Sequence, residues 1–325
     1  MATIAPIPMK YRAEDRRYPI GWYGVAESEE VGPDTLLPVA WLGQQMVVYR
    51  TAEGKAQVAY AYCPHLGAHL ASADGSVCGG KLTCPFHKWQ FDGATGAVTH
   101  IPYTQVMVPS SVRLTLYPTR EIDGVIVIWY HPEGGEPQFE PFDSSPLLGD
   151  DKWRLYTTHS WETTCPFRDI LENLFDTAHI VQLHNATALP EIKAFEPKPY
   201  GLRVDYETDA NSGEATPLKR FECNFSGVTL LSQYYEGGGY TALFTFTFTP
   251  IDEERFIQKT RLYLKDEGPK EALEAIGKAF ADRFIYEVDQ DMRVLNYKKH
   301  LTSPRLCAGD GPIMKFRRYA ENYYQ

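Results

Sequence analysis

The sequence predicts an α+β chain in two parts. An all-β N-terminal domain, residues 1–135, precedes a domain of antiparallel sheet and long C-terminal helix, residues 136–325. Three observations predict it. Short β-rich runs divided by turn dipeptides fill the first part. Longer runs of strand character fill the second, and an amphipathic stretch of helical period closes it.

A chain of 325 residues with 43% hydrophobic content suits two domains of ordinary size. The formal charge is −10 and no basic block occurs; Lys298-Lys299-His300 is too short to count as one. A nucleic-acid partner is therefore not expected. No run is long and apolar enough to span a membrane. Arg16-Arg17 is followed by Tyr-Pro without an apolar region, which argues against twin-arginine export. The six cysteines, at 63, 78, 84, 165, 223 and 307, show no disulfide spacing and suit a reducing cytoplasm.

Residues 1–17 read as a polar surface arm. Strands then follow at Leu36–Trp41, Gln45–Arg50, Gln57–Tyr62, Arg113–Pro118 and Gly124–Tyr130, with turns at Glu53-Gly54 and Asp123-Gly124. Among them lie two ligand-rich loops, Cys63-Pro-His65-Leu-Gly-Ala-His69 and Cys84-Pro-Phe-His87-Lys-Trp-Gln-Phe91. Each offers one Cys and one His. Two thiolates can hold one iron of a [2Fe–2S] pair and two imidazoles the other. Zinc sets read C-x2–4-C or H-x3–5-H within each half, so this mixed pattern favours iron–sulfur over zinc. His69 falls outside the quartet and reads as a structural histidine. Pro64, Gly67 and Pro85 suit tight turns that aim several ligands one way.

Pro132 to Pro146 reads as a linker. Ile170, Leu171, Leu174 and Phe175 then have helical spacing and lead into Asn173, Asp176, His179 and His184. His179 and His184 stand about 140° apart on an ideal helix, so the helix must bulge or end between them to present both to one metal. Two histidines and a carboxylate make a non-heme Fe(II) site. The last helix, about 269–299, offers Glu287, Asp289 and Asp291. Only Asp291 falls inside the apolar stripe of Phe280, Phe284, Val288 and Leu295, where a carboxylate is costly unless paired or metal-bound. Strands at Leu202–Thr208, Lys219–Phe225, Val228–Tyr235, Tyr240–Thr249 and Arg255–Leu264 complete the sheet. Phe244, Phe246 and Phe248 alternate with threonines, giving one apolar face. The run 237–242 formally fits G-x-G-x-x-A but precedes a strand, so it reads as a hairpin turn and not a dinucleotide site.

The first quartet resembles a Rieske [2Fe–2S] domain. Respiratory Rieske proteins read C-T-H-L-G-C and C-P-C-H, with an added disulfide; Ala68 and Phe86 occupy those positions here. Lys88 stands where the family often has glycine. The second motif resembles the (E/N)-x-x-D-x-x-H-x4-H signature of Rieske non-heme iron oxygenases, and Gln290-Asp291 with Val294-Leu295 resembles their late acidic motif. That resemblance implies a helix-grip (START-like) catalytic domain and mononuclear Fe(II) held by His179, His184 and Asp291. It assigns Cys63, His65, Cys84 and His87 to the cluster and makes Asn173 a supporting residue. It also implies that Asp176 links His179 to the partner subunit's His87 in a head-to-tail homotrimer. Electrons would come from an NAD(P)H-dependent reductase or a ferredoxin, since no flavin or nicotinamide motif is visible. Tyr62-Cys63-Pro64-His65, Ile101-Pro102-Tyr103 and Ile128-Trp129-Tyr130-His131 look most like the steroid branch, which includes 3-ketosteroid 9α-hydroxylase oxygenases and cholesterol 7-desaturases. The expected activity is monooxygenation of a large apolar substrate with O2. A smaller aromatic substrate or a demethylation is the alternative, and a pure electron-transfer protein the alternative of another class.

Overall fold

The computed structural model describes residues 18–106, 108–142, 144, 152–186, 190–207, 218–237, 240–252 and 254–324. They form two compact units, one of residues 22–142 and one of residues 144–324 that also takes in 18–21. The proposed surface arm, residues 1–17, lies outside the described residues. No helix among those described is long and apolar enough to cross a membrane.

The first unit is all β. Its strands are β1 (Gly21–Glu27), β2 (Leu37–Trp41), β3 (Gln44–Arg50), β4 (Ala56–Tyr60), β5 (Ser76–Cys78), β6 (Lys81–Thr83), β7 (Gln90–Asp92), β8 (Val98–His100), β9 (Leu116–Tyr117), β10 (Thr119–Ile122) and β11 (Val125–Tyr130). They build three small antiparallel sheets, ordered β1-β11-β10, β2-β3-β4-β9 and β5-β6-β7-β8. Two-residue turns at Leu42-Gly43, Gly79-Gly80 and Asp123-Gly124 close three hairpins, and both residues of each have positive φ. That geometry matches the twist of the flanking strands. Arg113–Pro118, expected as one strand, forms a strand only over Leu116–Tyr117, which pairs with β4, while Arg113 makes an isolated bridge to Ala97. Val47, Tyr49, Ala59, Leu70, Leu82 and Phe91 form the core beneath the two Cys/His loops.

The second unit is a seven-stranded antiparallel sheet with helices. Its strands are β12 (Trp153–Thr163), β13 (Glu191–Lys198), β14 (Gly201–Glu207), β15 (Leu218–Ser226), β16 (Leu230–Gly237), β17 (Tyr240–Pro250) and β18 (Phe256–Lys265), ordered β12-β18-β17-β16-β15-β14-β13. Its helices are α1 (Phe167–Ile170), α2 (Thr177–Gln182), α3 (Lys270–Leu295) and α4 (Ile313–Ala320). Strand β16 starts two residues later than expected because Gly227, at φ +56°, turns the chain. Gly237 pairs with Tyr240, so residues 237–242 form a hairpin, with 238–239 outside the described residues.

Phe244, Phe246 and Phe248 share one face of β17, as their spacing predicts. Phe244 stacks on Phe284 of α3 with centroids 4.3 Å apart, and Phe246 lies 5.8 Å from the same ring. The threonine face is not open to water: Thr245 and Thr247 are buried, with Arg261 donating to Thr247 Oγ1 at 3.4 Å. Helix α3 packs through Gly277, Ala281, Val288, Met292 and Leu295. It ends at Asn296, whose Oδ1 accepts from Thr163 Oγ1 at 2.5 Å and from the Thr164 amide at 3.0 Å.

Glycine at 277 is required by close approach. A Cβ there would lie 2.6 Å from both the Tyr156 ring and Leu264 Cδ1. Replacing Gly277 by Ala gains helix propensity of about 1 kcal/mol but overpacks the interface by about 1–3 kcal/mol. The variant is expected to be less stable in urea unfolding; a raised midpoint would show that the helix sits looser on the sheet than these distances say.

Candidate metal centres

The two Cys/His loops fold alike. In the first, the Gly67 amide donates to Cys63 O and the Cys63 amide to Ala68 O, both at 2.9 Å. In the second, the Lys88 amide donates to Cys84 O at 3.1 Å and the Cys84 amide to Trp89 O at 2.9 Å. Gly67 and Lys88 occupy equivalent positions with φ +72° and +58°. Lys88 thus adopts, at a cost of roughly 1 kcal/mol, the left-handed conformation natural to glycine.

These turns put both thiols deep and both imidazoles at the tip. Cys63 and Cys84 are buried, whereas His65 and His87 are half-buried. The imidazole centroids lie 4.7 Å apart, and His65 stacks on Trp89 at 4.5 Å. Trp89 in turn donates its indole N–H to Tyr103 Oη at 2.7 Å. The Nδ1 atoms of His65 and His87 are buried without a hydrogen-bond partner. Each such orphan costs about 1–3 kcal/mol unless something outside the protein satisfies it. Burial, with Cys84 alongside, pushes the Cys63 thiol up to about 12, so two thiolates here need a compensating cation. The donor set therefore fits a [2Fe–2S] cluster held by two Cys and two His. His69 sits apart and accepts from the Ala71 amide at 3.2 Å, a structural role. All six cysteines are free, and Ala68 and Phe86 leave no inter-loop disulfide.

The second centre begins on a broken helix. The stretch expected to start as one helix divides into α1, a 3-10 turn over Glu172–Phe175, and α2. Asp176, with ψ +79°, is the hinge between the last two. Helix α2 ends before His184: the Leu183 and His184 amides both donate to His179 O, at 2.7 and 3.4 Å. The Ala186 amide reaches Ile180 O at 3.1 Å, while Asn185 takes φ +57°. This bond, reaching six residues back over the left-handed Asn185, wraps the chain across the end of the helix and satisfies one of its last carbonyls. It swings His184 round to meet His179, with ring centroids 5.0 Å apart.

His179, His184 and Asp291 converge, with one ligand atom from each within 4.8 Å of the others. Asp291 Oδ1 lies 3.1 Å from His184 Nε2 and 3.8 Å from His179 Nε2. Both imidazoles turn Nε2 inward because Nδ1 is engaged elsewhere. His179 Nδ1–H donates to Asp176 O, and His184 Nδ1–H to Gln290 Oε1 at 3.1 Å. Despite the close approach, Asp291 Oδ1 is buried and makes no well-directed hydrogen bond. With both rings neutral, two imidazole lone pairs and a carboxylate oxygen converge on one point, an arrangement that a proton on His184 or a shared metal ion relieves. For His184, burial favours the neutral ring, but the Asp291 and Gln290 contacts outweigh it and raise its affinity for a proton. The same attraction serves a metal ion. The rival carboxylates are taken: Asp289 accepts from Trp161 Nε1 at 2.8 Å, and Glu287 pairs with Arg283 at 2.5 Å.

Supporting groups surround the triad. Asn173 Nδ2 lies 3.3 Å from His179 Nε2, beside the metal position. Asp176 is half-buried; its carboxylate neither caps α2 nor pairs with any described residue. The sequence motif includes Gln290 without giving it a role, and it leaves out Arg283. Gln290 is oriented by donating Nε2–H to Tyr286 Oη at 3.2 Å, and Arg283 holds His184 O at 3.0 Å. The spacing of Tyr286 and Gln290 on α3 was the available signal. Beneath the motif turn, Arg317 donates to both Glu172 oxygens at 2.6 and 2.9 Å, and His300 donates to buried Asp169 at 2.6 Å. Phe316 of α4 stacks on Phe175 at 4.3 Å. These contacts hold the turn that carries Asn173.

Comparison with known proteins places these centres in context. Residues 21–118 match the model of the Rieske [2Fe-2S] domain, and residues 128–324 match that of the 3-ketosteroid 9alpha-hydroxylase C-terminal domain. A cholesterol 7-desaturase of Bombyx mori is 38% identical over 329 residues, covering 94% of this chain and 70% of that one. A probable 3-ketosteroid-9-alpha-monooxygenase oxygenase component of Rhodococcus rhodochrous is 28% identical over 324 residues, covering 95% and 80%. Among solved structures, NdmA of Pseudomonas putida CBB5, as a mutant with caffeine, superposes with TM-score 0.73 at 18% identity over 95% of this chain and 92% of that one. Dicamba monooxygenase bound to dicamba gives 0.66 at 19% identity over 96% and 97%. At that identity the structures share the fold alone.

Replacing Gln290 by Leu is expected to weaken mononuclear iron binding roughly 10–100-fold, leaving the cluster's visible spectrum intact. Unchanged affinity in metal-buffered titration would show that His184 needs no orienting partner.

Proposed function

The chain belongs to the Rieske non-heme iron oxygenases, and from that premise we propose that it is the terminal oxygenase component of a steroid monooxygenase similar to 3-ketosteroid 9α-hydroxylases. Its cofactors are a Rieske [2Fe–2S] cluster and a mononuclear non-heme iron. Cys63 and Cys84 would hold one iron of the cluster, His65 and His87 the other, and His179, His184 and Asp291 the mononuclear ion. The boundary read from the sequence, residues 135 and 136, would separate electron entry from catalysis, and the two compact units, which part at residues 142–144, support a division near it. The observation that carries the substrate reading is the match of residues 128–324 to the 3-ketosteroid 9alpha-hydroxylase C-terminal domain.

The net reaction takes one C–H bond of the substrate, one O2, two electrons and two protons to an alcohol and water. When bound, the two iron centres supply one-electron storage and O2 reduction. The chain's own residues prepare the site. Asp176 O and Gln290 hold the Nδ1 protons of His179 and His184, so the neutral rings aim the Nε2 lone pair inward. Electrons come from a separate reductase or ferredoxin.

Two features support a head-to-tail homotrimer. Leu66, Phe86 and Tyr103, 66%, 63% and 59% exposed, ring the imidazole tip with an apolar rim. The Asp176 carboxylate, without a partner among the described residues, is available to the partner subunit's His87. A second reading, desaturation, is favoured by the 38% identity to a cholesterol 7-desaturase. It would take two C–H bonds, O2, two electrons and two protons to an alkene and two waters.

Incubation of the iron-loaded protein with 3-ketosteroids and 3-hydroxysteroids, a surrogate reductase and O2 tests the proposal. A hydroxylated or desaturated steroid is the expected product. Turnover of small aromatic acids with no steroid bound or converted would overturn it. Replacing Asp176 by Asn is expected to keep both metal contents and slow reoxidation of the reduced cluster on steroid and O2 addition by at least tenfold. An unchanged rate in stopped flow, or a monomer by sedimentation, would remove the bridging role.

A further inference from the structure

Asp176 stands at the N-terminal end of α2. Aspartate is among the strongest caps at that position, because its carboxylate can accept from the first free amides of the helix. It does not do so here: the hinge is held at φ −86° and ψ +79°, with no cap bond from the side chain. What this conformation supplies instead is the Asp176 carbonyl, which accepts from His179 Nδ1. One bond to an imidazole is a weak reason to forgo a cap. The fold supplies a restraint from outside the turn.

The segment between α3 and α4, residues 301–312, has no regular structure and is mostly exposed. Apolar burial therefore does not hold it in place. Arg317 of α4 does: it donates to Leu301 O and, through its other nitrogens, to both Glu172 oxygens. One guanidinium thus ties the start of the segment to the turn before the hinge. Within the segment the Cys307 amide donates to Asp310 Oδ2 at 2.6 Å and the Asp310 amide to Cys307 O at 3.3 Å. At its far end, Phe316 stacks on Phe175 at 4.3 Å. The segment is a strap laid across the hinge, and Gly311 is where it touches. A Cβ at Gly311 would lie 2.2 Å from Phe175 O, 3.2 Å from Thr177 Oγ1 and 3.3 Å from Thr177 N. Those atoms belong to the residues on either side of Asp176. The backbone of Gly311 also takes φ +73°, which favours glycine. Gly309 has φ +107°, yet a Cβ there would meet nothing within 4 Å.

We infer that Gly311 is a positioning residue for the mononuclear iron: by seating the 301–312 strap on Phe175 and Thr177, it keeps Asp176 out of its capping conformation and holds the Asp176 carbonyl against His179 Nδ1. The inference rests on the iron site proposed above and adds the device that fixes one of its ligands. The same restraint leaves the Asp176 carboxylate uncommitted to α2. A partner that orients a ligating histidine fixes the tautomer and the direction of the ring, so losing its hold weakens the metal. The coupling runs both ways. If the seated strap favours the metal-competent hinge, metal at His179 favours the seated strap.

The test uses the full chain with its cluster intact and Fe(II) alone as the probe. Gly311→Ala is expected to weaken Fe(II) binding roughly tenfold or more in metal-buffered titration, with labile sulfide unchanged. The nitric oxide adduct of its Fe(II) should give a high-spin EPR signal altered from that of the wild type. Gly309→Ala strains the same strap without touching the hinge, and should change affinity by less than about threefold and leave the EPR signal alone. In the wild type, hydrogen exchange at the amides of residues 301–311 should slow by about threefold or more when Fe(II) is added; this measurement decides the matter if Gly311→Ala does not fold. Unchanged affinity in Gly311→Ala, an equal loss in both glycine variants, or strap exchange indifferent to Fe(II) would overturn the assignment while leaving the iron site in place. A wild type that binds no Fe(II) beyond its cluster would overturn both.

Discussion

Both centres depend on one constraint: buried acceptor atoms gathered at one point with too few donors from the chain to satisfy them. His65 and His87 present Nδ1 without a partner, and His179 and His184 present Nε2 toward an unbonded Asp291 oxygen. An arrangement that leaves several buried acceptors unsatisfied costs several kcal/mol in total. It persists where the surrounding fold over-determines it and a cation repays the cost. Much of the architecture serves to hold those atoms in place.

The two units meet that demand by different means. In the first, two copies of one tight turn are spliced into small sheets, and backbone hydrogen bonds at 2.9–3.1 Å fix each ligand pair. Glycine fills the left-handed position in one copy and Lys88 in the other. In the second unit, a helix is broken at Asp176 and capped beyond His184, so that residues five apart share a focus. Helix α3 brings the third ligand from more than a hundred residues away. Its seating, through Gly277 on Tyr156 and Leu264 and through Asn296 on Thr163, is what carries Asp291 to the right depth.

The residue types that converge and their spacing were legible in the sequence because metal chemistry restricts both. Asp291 was separable from Asp289 and Glu287 by helix phase alone, and the contacts of Trp161 and Arg283 account for the other two. The five strands from 202 to 264 were legible from their alternation. What was not legible is instructive. Strands β12 and β13 are largely exposed and carry charged residues, so their pattern is diluted. Helix α4 spans only eight residues and carries two arginines and a lysine; its docking depends on Phe175 and Glu172, far away in the chain. The burial of Thr245 and Thr247 follows from Arg261 across the sheet, which strand alternation cannot report. Gln290 stands in the motif, but its role was hidden for a similar reason: it exists only once α3 lies beside His184.

The most direct test of the central claim is the metal and sulfide inventory of the protein purified without oxygen. Lone pairs arranged in these two ways call for about three irons and two acid-labile sulfides per chain. Replacing His184 by Ala should remove one iron and no sulfide. Zinc in place of iron, or iron without labile sulfide, would contradict the account.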